Sequence, residues 1–307
     1  MKRIVGITLI IVSFLTTISE AQQVATYSQY MFNGLAINPA YAGSHDALSA
    51  TALSRFQNVG LQGSPYTQTF SLHSPLINKR VALGFLVVHD RISIFDQTGI
   101  HFSYAYRLPV STKGTLSMGI QGGASFYRAD YSQLDLYNPG DAIFLDKTDV
   151  RQVRPNVGAG LYYYTKLAYV GLSMPNLVNN AFDRGSQSRT VHQNTPVILT
   201  GGYVFTLNRV LKFKPNALLK FLDERPVEFD LNANFLLDEV LWVGMSYKSS
   251  NSIALMTQLQ LTDVFQFGYS YQVSTGPINT VAIGSHELMV NYRFIYNKKG
   301  LVSPRYF

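Results

Sequence analysis

The sequence predicts an all-β chain, a transmembrane antiparallel outer-membrane β-barrel of about 14 strands. Three observations carry this expectation. Apolar and polar residues alternate with a period of two along most of the chain after Gly43, as strand side chains facing opposite sides of a sheet require. Connections sort by parity, with the two longest after odd-numbered strands and only short ones after even-numbered strands. Charged residues make up only 14% of the 307 residues, against about 25% in soluble domains, while Tyr and Phe number 20 and 19. Mean hydropathy is nevertheless only +0.05, too low for a bundle of spanning helices.

The N-terminus reads as a secretory signal over residues 1–21. Lys2 and Arg3 precede an apolar run from Ile4 to Leu15, and Ser19-Glu20-Ala21 places small residues around a cut before Gln22. The run is shorter than the ~20 residues of a spanning helix, which argues against an uncleaved anchor. Its loss removes two cations and one anion, so the net charge of +7 becomes +6. Those cations do not cluster as nucleic-acid recognition requires, so no nucleic-acid partner is expected. The chain has no Cys and thus no disulfide.

Residues 22–45 form the next unit. The stretch "QYMFNGLAINPAYAGS" is too apolar for a tail, and Asn33, Gly34, Asn38, Pro39 and Gly43 break any helix. It is expected to be a periplasmic or plug segment. The barrel is assigned to 46–296 and a C-terminal tail to 297–307. Expected strands are 46–56, 66–74, 81–90, 97–107, 115–128, 153–164, 167–174, 195–206, 211–221, 226–237, 240–248, 252–261, 264–272 and 284–296.

"PVEFDLNANFLL" shows the alternation best. Val227, Phe229, Leu231, Ala233, Phe235 and Leu237 point one way, and Glu228, Asp230, Asn232 and Asn234 the other. In lipid every backbone N–H and C=O needs a partner within the protein, so a closed barrel follows, its apolar face toward lipid and its polar face toward the lumen. A soluble β-sandwich is the alternative, but it gives no reason for loop parity. Lys212, Lys214 and Lys220 share one face and are placed inside, because each would cost about 2–4 kcal/mol at the bilayer midplane. Leu218, Leu236, Met256 and Met289 also face the lumen, which favours a filled interior over an open pore. Tyr104, Tyr106, Tyr162, Tyr163, Tyr164, Tyr292, Phe294 and Tyr296 lie near strand ends and are assigned to interfacial girdles.

Short turns mark the periplasmic end. Asp141 and Gly185 are therefore expected outside the cell, and Lys166 and Asp238 in the periplasm. The long 129–152 connection carries Tyr131, Leu134, Leu136, Tyr137, Ile143 and Phe144, and the next opens with Pro175, Asn176 and Leu177. Exposed apolar residues at this density mark a partner surface or pack over the barrel mouth.

Signals for catalysis are weak. None of the six His stands in H-E-x-x-H, and "GIQGGAS" lacks the Lys-Ser/Thr of a phosphate loop. His45-Asp46 and His89-Asp90 select no nucleophile. Asp130, Asp135, Asp141, Asp146 and Asp149 match no calcium-loop spacing, and Lys147 and Arg151 dilute their charge. No enzyme activity, catalytic residue, cofactor or metal is expected.

Several blocks resemble one family. "NGLAINPAYAGS", "SRFQNVGLQGSPYTQTFSLHSPL", "PNVGAGLYYY", "YVGLSMPNL", "LWVGMSYK", "GSHELMV" and "SPRYF" occur in the order seen in the PorP/SprF outer-membrane proteins of the type IX secretion and gliding machinery of Bacteroidetes. Val59 departs from the Trp usual there. The motif positions carried over are Tyr30, Asn33, Asn38, Pro39, Ala40, Tyr41, Gly43 and Ser44. The resemblance implies an outer-membrane barrel that helps export a secreted protein, or anchors it at the cell surface through a type IX C-terminal domain. Its further implied contacts are outer-membrane lipid and periplasmic or peptidoglycan-linked secretion components. The alternative function is an outer-membrane channel for small solutes.

Overall fold

The computed structural model describes residues 27–76, 78–133, 149–178, 181–182, 191–192, 195–223 and 225–294. The expected signal (1–21), the tail (297–307), Tyr296 and the two outer topology positions, Asp141 and Gly185, lie outside the described residues.

Fourteen antiparallel strands form one closed ring. They are β1 (Leu48–Phe56), β2 (Tyr66–Pro75), β3 (Val81–Ile92), β4 (Phe95–Pro109), β5 (Thr115–Ala129), β6 (Val150–Tyr164) and β7 (Ala168–Met174). Then come β8 (Val197–Tyr203), β9 (Leu211–Phe221), β10 (Glu228–Leu237), β11 (Leu241–Lys248), β12 (Ser252–Gln260), β13 (Phe265–Ser274) and β14 (Ser285–Phe294). The eighth strand breaks at Val204 and resumes as Phe205–Thr206, still paired to β9. A two-residue ribbon pairs Ala181–Phe182 with Val191–His192. The seam joins β1 to β14, from Leu48↔Phe294 to Phe56↔His286. Every barrel strand thus has two partners, which meets the backbone's demand in lipid.

Each strand fits the expected span to within a few residues, because the period-two pattern is unbroken. In β10, Asp230, Asn232, Asn234 and Leu236 are buried in the lumen, and Leu231, Phe235 and Leu237 are exposed outside. Lys214 and Lys220 are likewise buried inside. The short turns use compact geometry. Asp238 and Glu239 both take positive φ, 49° and 58°, and Val240 N–H donates to Leu237 C=O at 3.0 Å, the primed turn that matches strand twist.

One girdle assignment is corrected. Tyr163, Tyr292, Phe294 and Tyr104 do face outward, but Tyr162 and Tyr164 are buried inside the barrel. In "YYY" only the middle ring can point to lipid, since neighbours alternate. The two inward rings instead meet the N-terminal segment, Tyr162 lying 5.4 Å from Tyr41 ring to ring.

Candidate functional site

The lumen is occupied by the segment that precedes β1. Residues 27–46 run through it as three short 3-10 turns, Tyr30–Phe32, Gly34–Ala36 and Pro39–Tyr41. Breaks at Asn33, Asn38 and Gly43 keep the chain too irregular for a helix, and each turn delivers apolar side chains to the wall. Tyr27, Tyr30 and Met31 pack with Leu53, Ile198, Leu218, Met256 and Met289. Leu35, Ala40, Tyr41 and Ala42 pack with Ala82, Ala105, Tyr162, Tyr164 and Tyr169. The inward Leu and Met residues therefore line a plugged bore. A cavity of about 10 Å³ remains beside Tyr30, Asn38 and Tyr169, room for about one water.

The upper end of the plug is clamped by charge. The backbone N–H groups of Ser28 and Gln29 donate to the two Glu287 carboxylate oxygens, at 3.0 and 2.8 Å. Arg55 Nη1 donates to the same carboxylate at 2.9 Å and to Ser28 Oγ at 3.1 Å. Arg55 Nη2 donates to Gln272 Oε1 at 2.9 Å. Both members of the ion pair are almost fully buried, 4% and 1% exposed. Tyr27 Oη lies 2.8 Å from Thr69 Oγ1. These partners sit near the long-loop ends of β1, β2, β13 and β14.

The middle hangs on side-chain amides and hydroxyls. Tyr30 Oη accepts from Asn232 Nδ2 at 3.1 Å, and Asn33 Oδ1 accepts from Ser71 Oγ at 2.8 Å. Asn38 Oδ1 accepts from Ala40 N–H at 2.9 Å, capping the third turn, while its Nδ2 donates to Leu161 C=O at 3.0 Å. Glycines in the wall make room here. A Cβ on Gly119 would lie 2.3 Å from Ala40 N, and one on Gly160 would lie 2.1 Å from Asn38 Oδ1.

The lower end is tied at the short-turn rim. Gly43 N–H donates to His73 Nδ1 at 3.1 Å, and Tyr41 Oη lies 3.0 Å from His45 Nε2. Ser44 is buried next to this turn. Arg107 pairs with Asp46 at 2.5 Å and donates to Tyr164 Oη at 3.0 and 2.7 Å. On the far wall, Lys214 Nζ lies 5.1 Å from the Phe32 ring centroid and 5.4 Å from that of Trp242. All eight motif positions thus lie in the lumen. Reading the sequence missed their partners, Glu287, Arg55, Arg107 and the cradle glycines. The inward polar face of "HELMVNYRF" held a signal for Glu287, since a lumenal carboxylate needs a donor.

The candidate partner residues separate in space. Leu134, Leu136, Tyr137, Ile143 and Phe144 lie outside the described residues. Tyr131 is half-buried, its ring edge-on to Phe95 at 6.2 Å. Next to it, Ser132 N–H donates to Asp149 at 3.1 Å and holds that carboxyl below its ordinary range. Pro175 and Asn176 are half-buried. The Pro175 C=O accepts from Gln121 Nε2 at 2.8 Å, and the Asn176 amide oxygen accepts from Asn156 Nδ2 at 2.6 Å. Leu177 is exposed. Among the described residues no group of three or more His, Asp or Glu is placed to hold a metal ion.

Comparison with known proteins fits this geometry. The chain resembles the CymD monoaromatic hydrocarbon channel at 14% identity and a TM-score of 0.52, covering 89% of this chain and 94% of that one. It resembles the outer membrane protein Omp33 of Acinetobacter baumannii at 10% identity and a TM-score of 0.50, covering 81% and 98%. At such identities the likeness is one of fold, that of outer-membrane barrels. No curated protein matches the chain. A family model described as type IX secretion system membrane protein PorP/SprF matches residues 19–292, a span that includes the plug, its cradle and all fourteen strands up to Tyr292. The chain is an outer-membrane β-barrel and belongs to the PorP/SprF family of type IX secretion system membrane proteins.

Proposed function

We propose that this barrel retains a secreted protein at the cell surface by binding its type IX C-terminal domain from the long-loop side. One observation carries the reading. The bore is packed by residues 27–46 from the upper clamp to the short-turn rim, which supports a membrane-embedded anchor over a conduit. In this reading the signal peptide, residues 1–21, is removed on export. The plugged wall then holds the long loops outward, and the short-turn rim faces periplasmic or peptidoglycan-linked components of the machinery. Tyr131 and Leu177, with the apolar residues of the loop between β5 and β6, offer the partner its surface.

Deleting residues 132–149 tests this. The deletion spares both strands, so the barrel assembles and keeps its heat-modifiable migration. The expected result is release of the secreted partner into the medium, or its degradation. Retention of the partner at the surface at the wild-type level overturns the assignment of that loop. New permeability to small solutes, with no protein displaced, favours a channel instead.

A further inference from the structure

Charge on the short-turn rim is segregated turn by turn. The β2–β3 turn carries Lys79 and Arg80, β4–β5 carries Lys113, β6–β7 carries Lys166, and β8–β9 carries Arg209. The remaining two, β10–β11 and β12–β13, carry Asp238, Glu239 and Asp263. All these side chains are exposed. None of the five cations joins an ion pair among the described residues, whereas Glu239 is engaged by Lys212. Successive hairpins are neighbours around the ring, so four consecutive turns form a cationic arc and the next two an acidic one.

A second feature is common to the short turns, acidic ones included, where Val240 and Leu261 are exposed, and it places the cations relative to lipid. Each cationic turn places an exposed apolar side chain beside its charge: Leu76, Val110, Leu167, and Leu207 with Val210. Tyr163, Tyr203 and Phe205 lie on the outer wall at the ends of β6 and β8, next to these turns. Interfacial aromatic rings mark the level of lipid headgroups. The cations therefore stand at headgroup height, above side chains that face acyl chains. Adjacent turns lie two strand spacings apart, about 10 Å, within about one Debye length, so their fields reinforce one another.

We propose that this cationic arc binds the phosphate headgroups of anionic phospholipid in the periplasmic leaflet. A folded protein would need a contiguous face. Here one or two cations per turn follow a convex rim, each above its own lipid-facing residue, which suits a row of single lipids. The acidic arc, with Asp238, Glu239 and Asp263, repels the same headgroups, so the bound lipids collect on one side of the barrel.

The test compares refolded full-length chain in phosphatidylcholine vesicles containing spin-labelled phosphatidylglycerol or spin-labelled phosphatidylcholine. Wild type is expected to hold the phosphatidylglycerol label preferentially, by roughly five-fold. K79Q/R80Q/K113Q/K166Q/R209Q is expected to lose that preference while keeping heat-modifiable migration. D238N/E239Q/D263N is expected to keep or raise it. If the five-site variant does not refold, K79Q/R80Q and K113Q/K166Q are each expected to show a partial loss. A wild type without preference, or Gln variants that keep it in full, overturns the proposal.

Discussion

Asn38 and Gly160 fit one another with no room for a methyl group. The Asn38 Oδ1 stands where a Cβ on residue 160 would come within 2.1 Å, and its Nδ2 donates to the neighbouring Leu161 C=O at 3.0 Å. A motif at the start of the chain and a glycine in the sixth strand are thus two halves of one joint.

Substituting Gly160→Val should therefore lift the plug. Overpacking of this kind costs about 1–3 kcal/mol. The expected result is a barrel that still folds, migrates less heat-stably in detergent gels, and conducts ions in a planar bilayer where wild type does not. A silent bilayer with unchanged migration would sink the idea that Gly160 seats the plug.

The buried Arg55–Glu287 pair makes an asymmetric prediction. Removing one member of a buried ion pair costs about 3–5 kcal/mol. Glu287 also accepts the N–H groups of Ser28 and Gln29. Glu287→Met should therefore destabilise more than Arg55→Met, and the double variant should recover only part of the loss. Urea titration of the refolded chain reads all three. Equal costs for the two single variants would show that the plug amides do not depend on this carboxylate.

Trp242 is the sole tryptophan of the chain, and its ring lies 6.1 Å from that of Phe32. Its emission should report whether the plug is seated. Phe32→Ala and Gly160→Val should each shift the emission to the red and increase quenching by iodide. An unchanged spectrum in both variants would mean that the plug stays against β11.

Strand parity predicts sidedness. The chain has no cysteine of its own, so single substitutions are clean probes. A membrane-impermeant thiol reagent on intact cells should label cysteines at 141 and 185, and spare those at 166 and 238. Labelling of 166 with sparing of 185 would invert the barrel.

The strands were legible in the sequence because a one-residue slip reverses every face, so the two-residue period is strongly constrained. Lys214 and Lys220 could be placed inside on cost alone. The girdle assignment of Tyr162 and Tyr164 failed for a local reason. Ring type says only that an interface is near, and here the interface is with Tyr41 and not with lipid. The cradle was not legible, since the glycines of "GAGLYYY" record a space without naming what fills it. The Glu287 clamp joins residues 259 apart in sequence, beyond the reach of any spacing rule.

The Arg55–Glu287 bridge has a consequence for assembly order. These two residues face each other in register across the seam where β1 meets β14, and the Ser28 and Gln29 amides of the plug end on the same carboxylate. The pairing that joins the first strand to the last is therefore also the one that locks the N-terminal segment. A segment of this bulk has no free bore to thread once the ring is shut, so it must be inside beforehand and serve as the mandrel on which the sheet closes. Removing residues 27–44 should then slow ring closure in a refolding time course more than it changes the final yield, whereas an unaltered closure rate would make the plug a late arrival.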